Sequence, residues 1–343
     1  MQGVVLPGGR VVEWAEGPVP VVGHRQVLLR MRASSICGSD IRAIYREHLG
    51  HGPEAYQGVI AGHEPSGEVV AVGPDCRRLQ VGDRVAVYHI AGCGMCTNCR
   101  AGYMIGCVDQ SRAAYGWQRD GGHAPYMLAE EVTCLRLPDS LSFVDGASAA
   151  CSAGTAYEAL VRIDVTGRDR LLITGLGPVG LAVALLARGL GVVTIIGTDP
   201  SPERRALAQD LDLVTAALDG TADREAVLDA AGGPVEASID ASGVDGARRL
   251  ALDALADFGR CAFVGEGGSV SFDPSPTLIH RQVTLVGSWV TSLGHMAELL
   301  ERLDRWGLHP ESLVTDRFSL AEADAAYELA DRGVAGKVCI VTD

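Results

Sequence analysis

The sequence contains almost no lysine and no long apolar run. Lys337 is the only lysine among 29 Lys and Arg residues, and no basic cluster interrupts a net charge of −14. This balance argues against nucleic acids and anionic membrane surfaces as partners. No apolar stretch exceeds the length of an ordinary helix or strand, so we expect no membrane span. The N-terminus shows no basic stretch followed by an apolar core and a cleavage site, which predicts a cytoplasmic protein.

The length and the cysteines define what the chain can build. At 343 residues with 47% hydrophobic residues, it can form two domains with apolar cores. Ten cysteines would be unusual as disulfides in a cytosolic chain of this size. Six of them stand alone, whereas four form one cluster: Cys93, Cys96, Cys99 and Cys107. Four soft thiolates at this spacing predict a closed tetrahedral zinc site, and a reduced, metal-free loop is the alternative.

A glycine-rich turn lies near the middle of the chain. The apolar run 171–174 ends in Gly175-x-Gly177-x-x-Gly180, and a segment without helix breakers follows. Such a strand, turn and helix are typical of a dinucleotide site: the glycines allow a sharp turn, a close backbone approach and tight helix packing. The next apolar run ends near Asp199, 19 residues after Gly180, where an acidic group would meet a ribose 2′-hydroxyl.

The order of elements predicts the fold class. The first 90 residues show short β-type runs that carry Cys37 and His63 on loops. From residue 170, strands and helices alternate, which predicts an α/β fold with a doubly wound parallel sheet. The expected strands are 171–174, 192–197, 235–240, 260–264 and 283–287, and the expected helices are 178–189, 201–210 and 244–256. Helices 293–306 and 321–332 and a strand 337–341 would then form a tail without a sheet of its own.

Four features in a fixed order carry a family resemblance: Cys37, the pair His63-Glu64, the Cys93–Cys107 cluster and the Gly175–Gly180 turn. With them the whole chain resembles the zinc-dependent medium-chain dehydrogenases. Three further segments are similar to the threonine and polyol dehydrogenase branch: 88–93, 114–117 and 120–124. The resemblance implies a GroES-like, β-rich catalytic domain over 1–151, an NAD-binding Rossmann domain over 152–288, and a segment 289–343 that returns to the catalytic domain.

The resemblance also implies a catalytic zinc ion bound by Cys37, His63 and Cys151. Glu64 would lie close to the metal, either as a neighbouring group that does not coordinate it or as an exchangeable ligand. A Cys₂His set leaves a fourth position for the oxygen of water or an alcohol. The assignment of Cys151 has an alternative, since some polyol relatives use a carboxylate there. The predicted content is therefore one catalytic and one structural zinc per chain.

Two residues of the same segment receive supporting roles from the resemblance. Asp40 would accept a hydrogen bond from a metal ligand and so orient it. Ser39 would take the proton of the alcohol. Relatives often continue this relay with a histidine five residues after the first cysteine, where this chain has Arg42. His48 or His51 could take over that step, or either could be a solvated loop histidine.

For the cofactor, the resemblance implies NAD. Besides Gly175, Gly177 and Gly180, the expected contacts come from Pro178, Val179, Asp199, Arg204 and Lys337. Asp199 would bind the adenosine ribose and repel a 2′-phosphate, and Arg204 would cover the adenine. Lys337 would lie near the pyrophosphate, or else be an exposed lysine at the start of a strand. Because Arg204 and Arg205 could pair with a phosphate, NADP remains the alternative.

The expected reaction is oxidation of a polar secondary alcohol to a ketone. Four residues are candidate pocket walls: His89, Tyr115, Trp117 and Trp289. A histidine with amphipathic aromatics suits hydroxyl-rich rings, because buried donors and acceptors need partners. Glu47 and Glu54 could steer a cationic amino group, or could be solvated surface acids.

We therefore expect a sugar, cyclitol, polyol or amino sugar as substrate, as in aminoglycoside-type secondary metabolism. Oxidation of threonine-like amino alcohols is the second choice. Two other classes are a quinone or enoyl reductase, which the three zinc ligands disfavour, and a non-catalytic dinucleotide-binding scaffold with one structural zinc. The resemblance also suggests a homodimer or homotetramer.

Overall fold

The chain divides into two compact units. The computed structural model describes residues 1–333 and 335–342. Unit 1 consists of Met1–Gly154 together with the chain from Thr291 onward, and unit 2 is Thr155–Val290. The expected boundaries at residues 151 and 288 lie within three residues of these positions. Among the helices formed by the described residues, none combines the length and apolar character that a membrane span requires.

The strands of the described residues are β1 (Gln2–Gly8), β2 (Val11–Glu16), β3 (Gln26–Ser35), β4 (Glu64–Val72), β5 (Arg84–Val87), β6 (Ile90–Ala91), β7 (Ala113–Ala114), β8 (Tyr126–Glu130), β9 (Cys134–Arg136), β10 (Leu171–Thr174), β11 (Ile195–Asp199), β12 (Ala216–Asp219), β13 (Val235–Asp240), β14 (Leu255–Phe263), β15 (Thr284–Gly287), β16 (Val314–Ser319) and β17 (Lys337–Val341).

The α-helices are α1 (Gly38–Asp40), α2 (Thr97–Arg100), α3 (Phe143–Ala150), α4 (Ser152–Arg162), α5 (Pro178–Gly189), α6 (Pro202–Asp210), α7 (Arg224–Ala231), α8 (Asp245–Asp253), α9 (Leu293–Trp306) and α10 (Ala323–Arg332). A π-helical segment, Ile41–Tyr45, continues α1.

Unit 1 is built on a seven-stranded sheet in the order β16-β17-β3-β4-β5-β9, with β8 also paired to β3. Its strands are rich in Val, Leu and Met, and their inward side chains form a buried apolar cluster. The register pairs Ser35 of β3 with Glu64 of β4 and with Cys339 of β17. The segment after β3, the start of β4 and the start of β17 therefore meet at one end of these neighbouring strands.

Helix α3 packs on this sheet and ends beside the same strand ends. It starts with a capping box, in which Ser142 and Asp145 satisfy each other's backbone N–H groups. A Cβ atom at Gly146 would lie 2.5 Å from Ser66 Oγ, so glycine allows the close approach of the helix to β4. The helix ends at Ala150, which presents Cys151 at its C-terminus.

Unit 2 is built on a six-stranded sheet in the order β12-β11-β10-β13-β14-β15, and every pairing in it is parallel. All four residues of the central strand β10 are buried, as expected for a strand covered by helices on both faces. The sheet order reverses direction between β10 and β13, and ligands of such folds bind at this switch point, beyond the carboxyl ends of the strands. The predicted doubly wound α/β fold is confirmed.

The glycine-rich turn joins β10 to α5 with the geometry that its sequence requires. Gly175 has φ of +94°, which favours glycine. A Cβ atom at Gly180 would lie 1.8 Å from the carbonyl oxygen of Gly175, so no larger residue fits there. At Gly177 the nearest atoms to such a Cβ are 3.8 Å away or more, which leaves the backbone open to a ligand.

Several elements differ from the expectation. The second strand of unit 2 is Ile195–Asp199 rather than 192–197, because Val193 is 73% exposed and only the later residues enter the sheet. Helices α3 and α7 and strand β12 were not predicted. The tail forms β16, which was not predicted, and pairs it with β17; both strands join the sheet of unit 1 through β3, so the tail has no separate sheet, as expected.

Candidate functional site

Four of the predicted site residues lie together in unit 1. One sulfur, nitrogen or oxygen atom from each of Cys37, His63, Glu64 and Cys151 falls within 4.8 Å of all the others. We call these four residues the buried cluster. Cys37 follows β3, His63 and Glu64 lie at the start of β4, and Cys151 follows α3. The buried cluster is therefore assembled at the strand ends described above.

Asp40 holds the imidazole of the buried cluster in one orientation. Its Oδ1 lies 2.7 Å from His63 Nδ1, and its Oδ2 accepts the Cys37 backbone N–H at 3.0 Å. Asp40 is fully buried and His63 is 3% exposed. Burial opposes protonation of His63, but the carboxylate of Asp40 outweighs it and raises the pKa of the ring. With Nδ1 engaged by Asp40, Nε2 is the ring nitrogen left for a metal ion.

The two thiols of the buried cluster behave as a pair. Their sulfur atoms are 4.0 Å apart. A hydrogen bond from Cys151 and the nearby positive charges of His63 and Lys337 lower the pKa of the Cys37 thiol, while the same hydrogen bond and burial raise the pKa of Cys151. Two sulfurs and one imidazole nitrogen with an oriented ring fit zinc, which binds thiolates and displaces their protons.

The fourth residue of the buried cluster, Glu64, has a hydrogen-bond partner at one of its two carboxylate oxygens. Its Oε1 accepts a hydrogen bond from Lys337 Nζ at 2.8 Å. Its Oε2 is buried and has no hydrogen-bond partner among the described residues. Burial raises the pKa of Glu64 to about 7, against the opposing charge of Lys337. Lys337 is 3% exposed and so is not a solvated lysine. Its assignment to the pyrophosphate stays a prediction.

The members of the expected proton relay lie in different surroundings. Ser39 lies on α1, between Cys37 and Asp40, and is partly exposed. Arg42 follows on the π-helical segment and is exposed. His48 is not a free loop histidine, because its Nε2 lies 2.8 Å from the carbonyl oxygen of Leu6 and its ring packs edge-on against Tyr56. His51 is exposed.

Of the candidate pocket residues, His89 adjoins the buried cluster. Its ring centroid lies 5.3 Å from that of His63, and its Nδ1 lies 2.8 Å from the carbonyl oxygen of Ala150. A carbonyl can only accept, so Nδ1 carries the proton. Burial and the charge of His63 lower the pKa of His89 to about 4, so the ring is neutral near pH 7 with an acceptor lone pair at Nε2.

The aromatic candidates behave differently. Tyr115 is fully buried in the sheet core, where its hydroxyl accepts the Glu130 backbone N–H and contacts Thr133 Oγ1. This position favours a core role over the expected role as a pocket wall. Trp117 is partly buried against a second apolar cluster. Trp289 belongs to unit 2 and is 60% exposed. For both tryptophans the pocket role stays a prediction.

The acidic residues proposed at the entrance are exposed. Glu54 is 73% exposed and forms an ion pair with Arg112, so its charge is compensated. Glu47 is exposed as well. This favours the interpretation of Glu54 as a solvated surface acid.

The four clustered cysteines form a second group with ligand atoms within 4.8 Å of one another: Cys93, Cys96, Cys99 and Cys107. We call them the cysteine lobe. Backbone N–H groups point at its sulfurs: those of Met95 and Cys96 lie 3.4 Å from Cys93 Sγ. Hydrogen bonds from the backbone of Cys99 and Val108 lower the pKa of Cys96 to about 6. These hydrogen bonds stabilise the thiolates of Cys93 and Cys96, and four sulfurs at this separation fit a closed zinc site.

In unit 2, Asp199 lies at the end of β11 beside the glycine-rich turn. Its Oδ2 accepts the Leu176 backbone N–H at 2.8 Å, and Arg204 Nη1 is 3.6 Å from the same oxygen. Arg205 instead donates to the Asp199 and Pro200 carbonyl oxygens and pairs with Asp219. Pro178 and Val179 form the first turn of α5, where free N–H groups can bind a pyrophosphate.

A third group of potential metal ligands escaped the sequence analysis: Asp145, His309 and Glu311. Asp145 is fully buried, and its oxygens accept the Ser142 and Glu311 backbone N–H groups and contact His309 Nδ1 at 3.0 Å. The serine and aspartate spacing of the capping box was a usable signal for Asp145. His309 and Glu311 come from a distant part of the chain, and no local pattern marks them.

The comparisons with known proteins agree with this geometry. Residues 23–139 match the family model of the alcohol dehydrogenase GroES-like domain, and residues 178–305 match that of the zinc-binding dehydrogenases. An uncharacterised zinc-type alcohol dehydrogenase-like protein of Escherichia coli K12 is 46% identical over 99% of this chain and 98% of its own length. An L-threonine 3-dehydrogenase of Shewanella loihica is 30% identical over 96% of this chain and 95% of its own.

Among solved structures, galactitol-1-phosphate dehydrogenase from Escherichia coli superposes with a TM-score of 0.85 and 26% identity, covering 100% of both chains. The chain therefore belongs to the zinc-dependent medium-chain alcohol dehydrogenase family, whose members are oxidoreductases built from a GroES-like and a Rossmann domain.

Proposed function

We propose that this protein is an NAD-dependent zinc enzyme that oxidises a polar secondary alcohol to a ketone. The observation that carries the proposal is the buried cluster, in which two thiols and an oriented imidazole supply three of the four donors that a zinc ion takes. A bound zinc ion would supply Lewis-acid chemistry at the alcohol oxygen, and bound NAD would accept the hydride. A second zinc would occupy the cysteine lobe and stabilise it.

The residues of the chain then have distinct tasks. Cys37, His63 and Cys151 hold the metal, and Asp40 fixes the ring of His63 through Nδ1. Ser39 Oγ accepts the alcohol proton and, being partly exposed, passes it to water. Arg42 cannot continue a relay, since a guanidinium does not release its proton near neutral pH.

The preference for NAD follows from Asp199. Its carboxylate is 2% exposed at the end of β11, and a 2′-phosphate there would meet a buried acid. Nη1 of Arg205 is already engaged by the carbonyl oxygens of Asp199 and Pro200 and by Asp219, which disfavours its use for that phosphate. Asp199→Ala should raise KM for NAD about tenfold and reduce the preference over NADP, because a hydrogen bond to a charged group is lost. A wild-type enzyme that uses NADP better than NAD would contradict this assignment.

The polar character of the substrate rests on His89. Its Nε2 offers an acceptor at the buried cluster, and a buried acceptor favours a substrate that carries a second donor such as a neighbouring hydroxyl or amino group. Sugars, cyclitols, polyols and their amino derivatives meet this need, including those of aminoglycoside-type pathways. Similarity to a threonine dehydrogenase supports threonine-like amino alcohols as the second candidate.

The test compares kcat/KM for reduction of NAD with four alcohols: 2-butanol, a cyclitol, an amino sugar and threonine. The expected order places the cyclitol or the amino sugar first. A clear preference for 2-butanol would reject the polar pocket, and a preference for threonine would select the second candidate. If zinc-loaded protein reduces NAD with none of them and only the cysteine lobe holds zinc, the protein is a dinucleotide-binding scaffold instead.

A further inference from the structure

The only lysine of the chain contacts the buried cluster. Lys337 begins β17, the strand next to β3, and its side chain is 3% exposed. Its Nζ donates to Glu64 Oε1 at 2.8 Å and to the carbonyl oxygen of Ile36 at 3.3 Å. A buried ammonium is costly unless it is paired, so this lysine has a specific task at Glu64.

Glu64 is a second candidate for the fourth position around the metal. Its Oε2 is buried without a hydrogen-bond partner among the described residues, in a group whose donor atoms lie within 4.8 Å of one another. Metal ions bind carboxylate oxygens readily. If Oε2 became a permanent ligand, the buried cluster would be a closed four-donor site, and no alcohol oxygen could enter it.

Lys337 offsets the charge of Glu64 in this buried site. Two thiolates and the carboxylates of Glu64 and Asp40 contribute four negative charges, and a zinc ion contributes two positive ones. The ammonium of Lys337 supplies a third positive charge and is fixed on the Glu64 carboxylate. In a buried site with low effective dielectric, one uncompensated charge strongly changes the affinity for an incoming anion.

We propose that Lys337 is a positioning residue that holds Glu64 off the catalytic metal and neutralises it, which keeps the fourth position open to an oxygen anion. The proposal rests on the proposed function only in placing the metal at Cys37, His63 and Cys151. Without Lys337, Glu64 either coordinates the metal through Oε2 or remains as an excess negative charge beside it. Both changes weaken the binding of an anionic fourth ligand.

The experiment uses cobalt-substituted protein and thiocyanate as the anionic probe, with the visible absorption of Co²⁺ as the readout. The change on titration reports the open site alone, because a Cys₄ site has no position for the probe. No alcohol or NAD is needed, so the outcome is independent of whether the proposed reaction occurs. The variants are Lys337→Met, Glu64→Gln and the double variant that carries both changes.

We expect Lys337→Met to bind thiocyanate about tenfold more weakly than the wild type, since one positive charge is lost at close range. Glu64→Gln removes one negative charge and should bind it about tenfold more tightly. The double variant restores the charge balance and should return to within about threefold of the wild type. A lysine that acted only through packing would give no such rescue.

The proposal is overturned if Lys337→Met binds thiocyanate as the wild type does, or if the double variant is as weak as Lys337→Met. If Lys337→Met does not fold, Glu64→Gln decides alone: tighter thiocyanate binding than in the wild type supports the proposal, and equal or weaker binding overturns it.

Discussion

The two sulfur-rich groups of unit 1 differ in how they are built. The cysteine lobe takes all its donors from residues 93–107, and backbone N–H groups point at its sulfurs. The buried cluster takes its donors from β3, β4 and the end of α3, and side chains surround it: Asp40 on His63, and Lys337 on Glu64. One group is local and uniform, and the other is assembled by the fold.

This difference determines what each group can do. Four equal thiolates satisfy a tetrahedral ion completely and leave no place for a substrate, so the cysteine lobe stabilises structure. The buried cluster has three suitable donors and a carboxylate tied to a lysine, so its fourth position can be used for chemistry. The same metal is thus predicted to be structural in one place and catalytic in the other.

The largest effect is expected from Cys37→Ser. Loss of a thiolate from the buried cluster should lower kcat by at least about a thousandfold, because Lewis-acid stabilisation of several kcal/mol is removed. The fold and NAD binding should persist, since unit 2 and the cysteine lobe are untouched. The measurements are turnover, NAD affinity and zinc content, which should fall from two ions to one per chain.

The matched control for Cys37→Ser is Cys76→Ser. Cys76 is a partly buried thiol that belongs to neither group and donates to the carbonyl oxygen of Gln26 at 3.3 Å. It should keep both zinc ions and full turnover. Active Cys37→Ser protein, or active wild-type protein with a single zinc, would contradict the assignment of a catalytic metal to the buried cluster.

Cys96→Ser tests the other side of the comparison. The cysteine lobe should lose its zinc, and because structural zinc contributes folding free energy directly, the melting temperature should fall by about 10 °C. Turnover per folded molecule should change far less than in Cys37→Ser. Calorimetry with zinc analysis checks this, and Cys76→Ser again serves as the control. A Cys96→Ser protein with unchanged melting temperature would show that the lobe does not depend on metal.

The sequence predicts these two groups to different depths. The cysteine lobe and the Gly175–Gly180 turn are local patterns whose spacing states their chemistry, and both appear in the structure as compact local groups. The contact between Lys337 and Glu64 joins residues 273 positions apart. It depends on the register of β17, β3 and β4, which no local pattern encodes.

Tyr115 shows a second limit. An aromatic residue beside a glycine-rich loop suits a pocket wall and a core equally well. In the structure, Tyr115 packs in the apolar core of the sheet. Helix α3 was missed because Gly146 and Ser148 weaken a helix pattern. The close contact with Ser66 nevertheless requires glycine at position 146. Strand β12 is an edge strand rich in alanine, which has low strand propensity.

Asp40→Asn tests how far the hydrogen-bond partner of His63 contributes to metal binding in the buried cluster. The charge that orients and supports His63 is removed while the volume is kept. Such partners of metal ligands typically contribute about 10- to 100-fold in metal affinity, so the catalytic zinc should be lost to a chelator at correspondingly lower concentration. The zinc of the cysteine lobe should be retained. Asp120→Asn is the control, since Asp120 accepts a loop N–H, that of Ile60 at 3.0 Å, and is not a residue of the buried cluster. Equal chelator sensitivity in both variants would rule out the role of Asp40.

The smallest expected effect concerns the third group, Asp145, His309 and Glu311. Unlike the buried cluster, its buried carboxylate is fully hydrogen-bonded, so we expect no metal there and a modest ion pair instead. The bond to Asp145 raises the pKa of His309, whose side chain is 41% exposed. A raised folded-state pKa means that the pair stabilises the fold fully below the unfolded pKa of about 6.5, and that this contribution is lost as pH rises through the folded value. After solvent screening it amounts to about 1 kcal/mol or less.

His309→Ala should therefore destabilise unit 1 more at pH 5.5 than at pH 8.5, measured by denaturant unfolding, with zinc content unchanged. His24→Ala, which removes an exposed histidine from its contact with Asp75, is the control and should show a smaller pH dependence. Loss of a metal ion from His309→Ala, or greater destabilisation at pH 8.5 than at pH 5.5, would show that the group is a metal site and not a hydrogen-bonded junction.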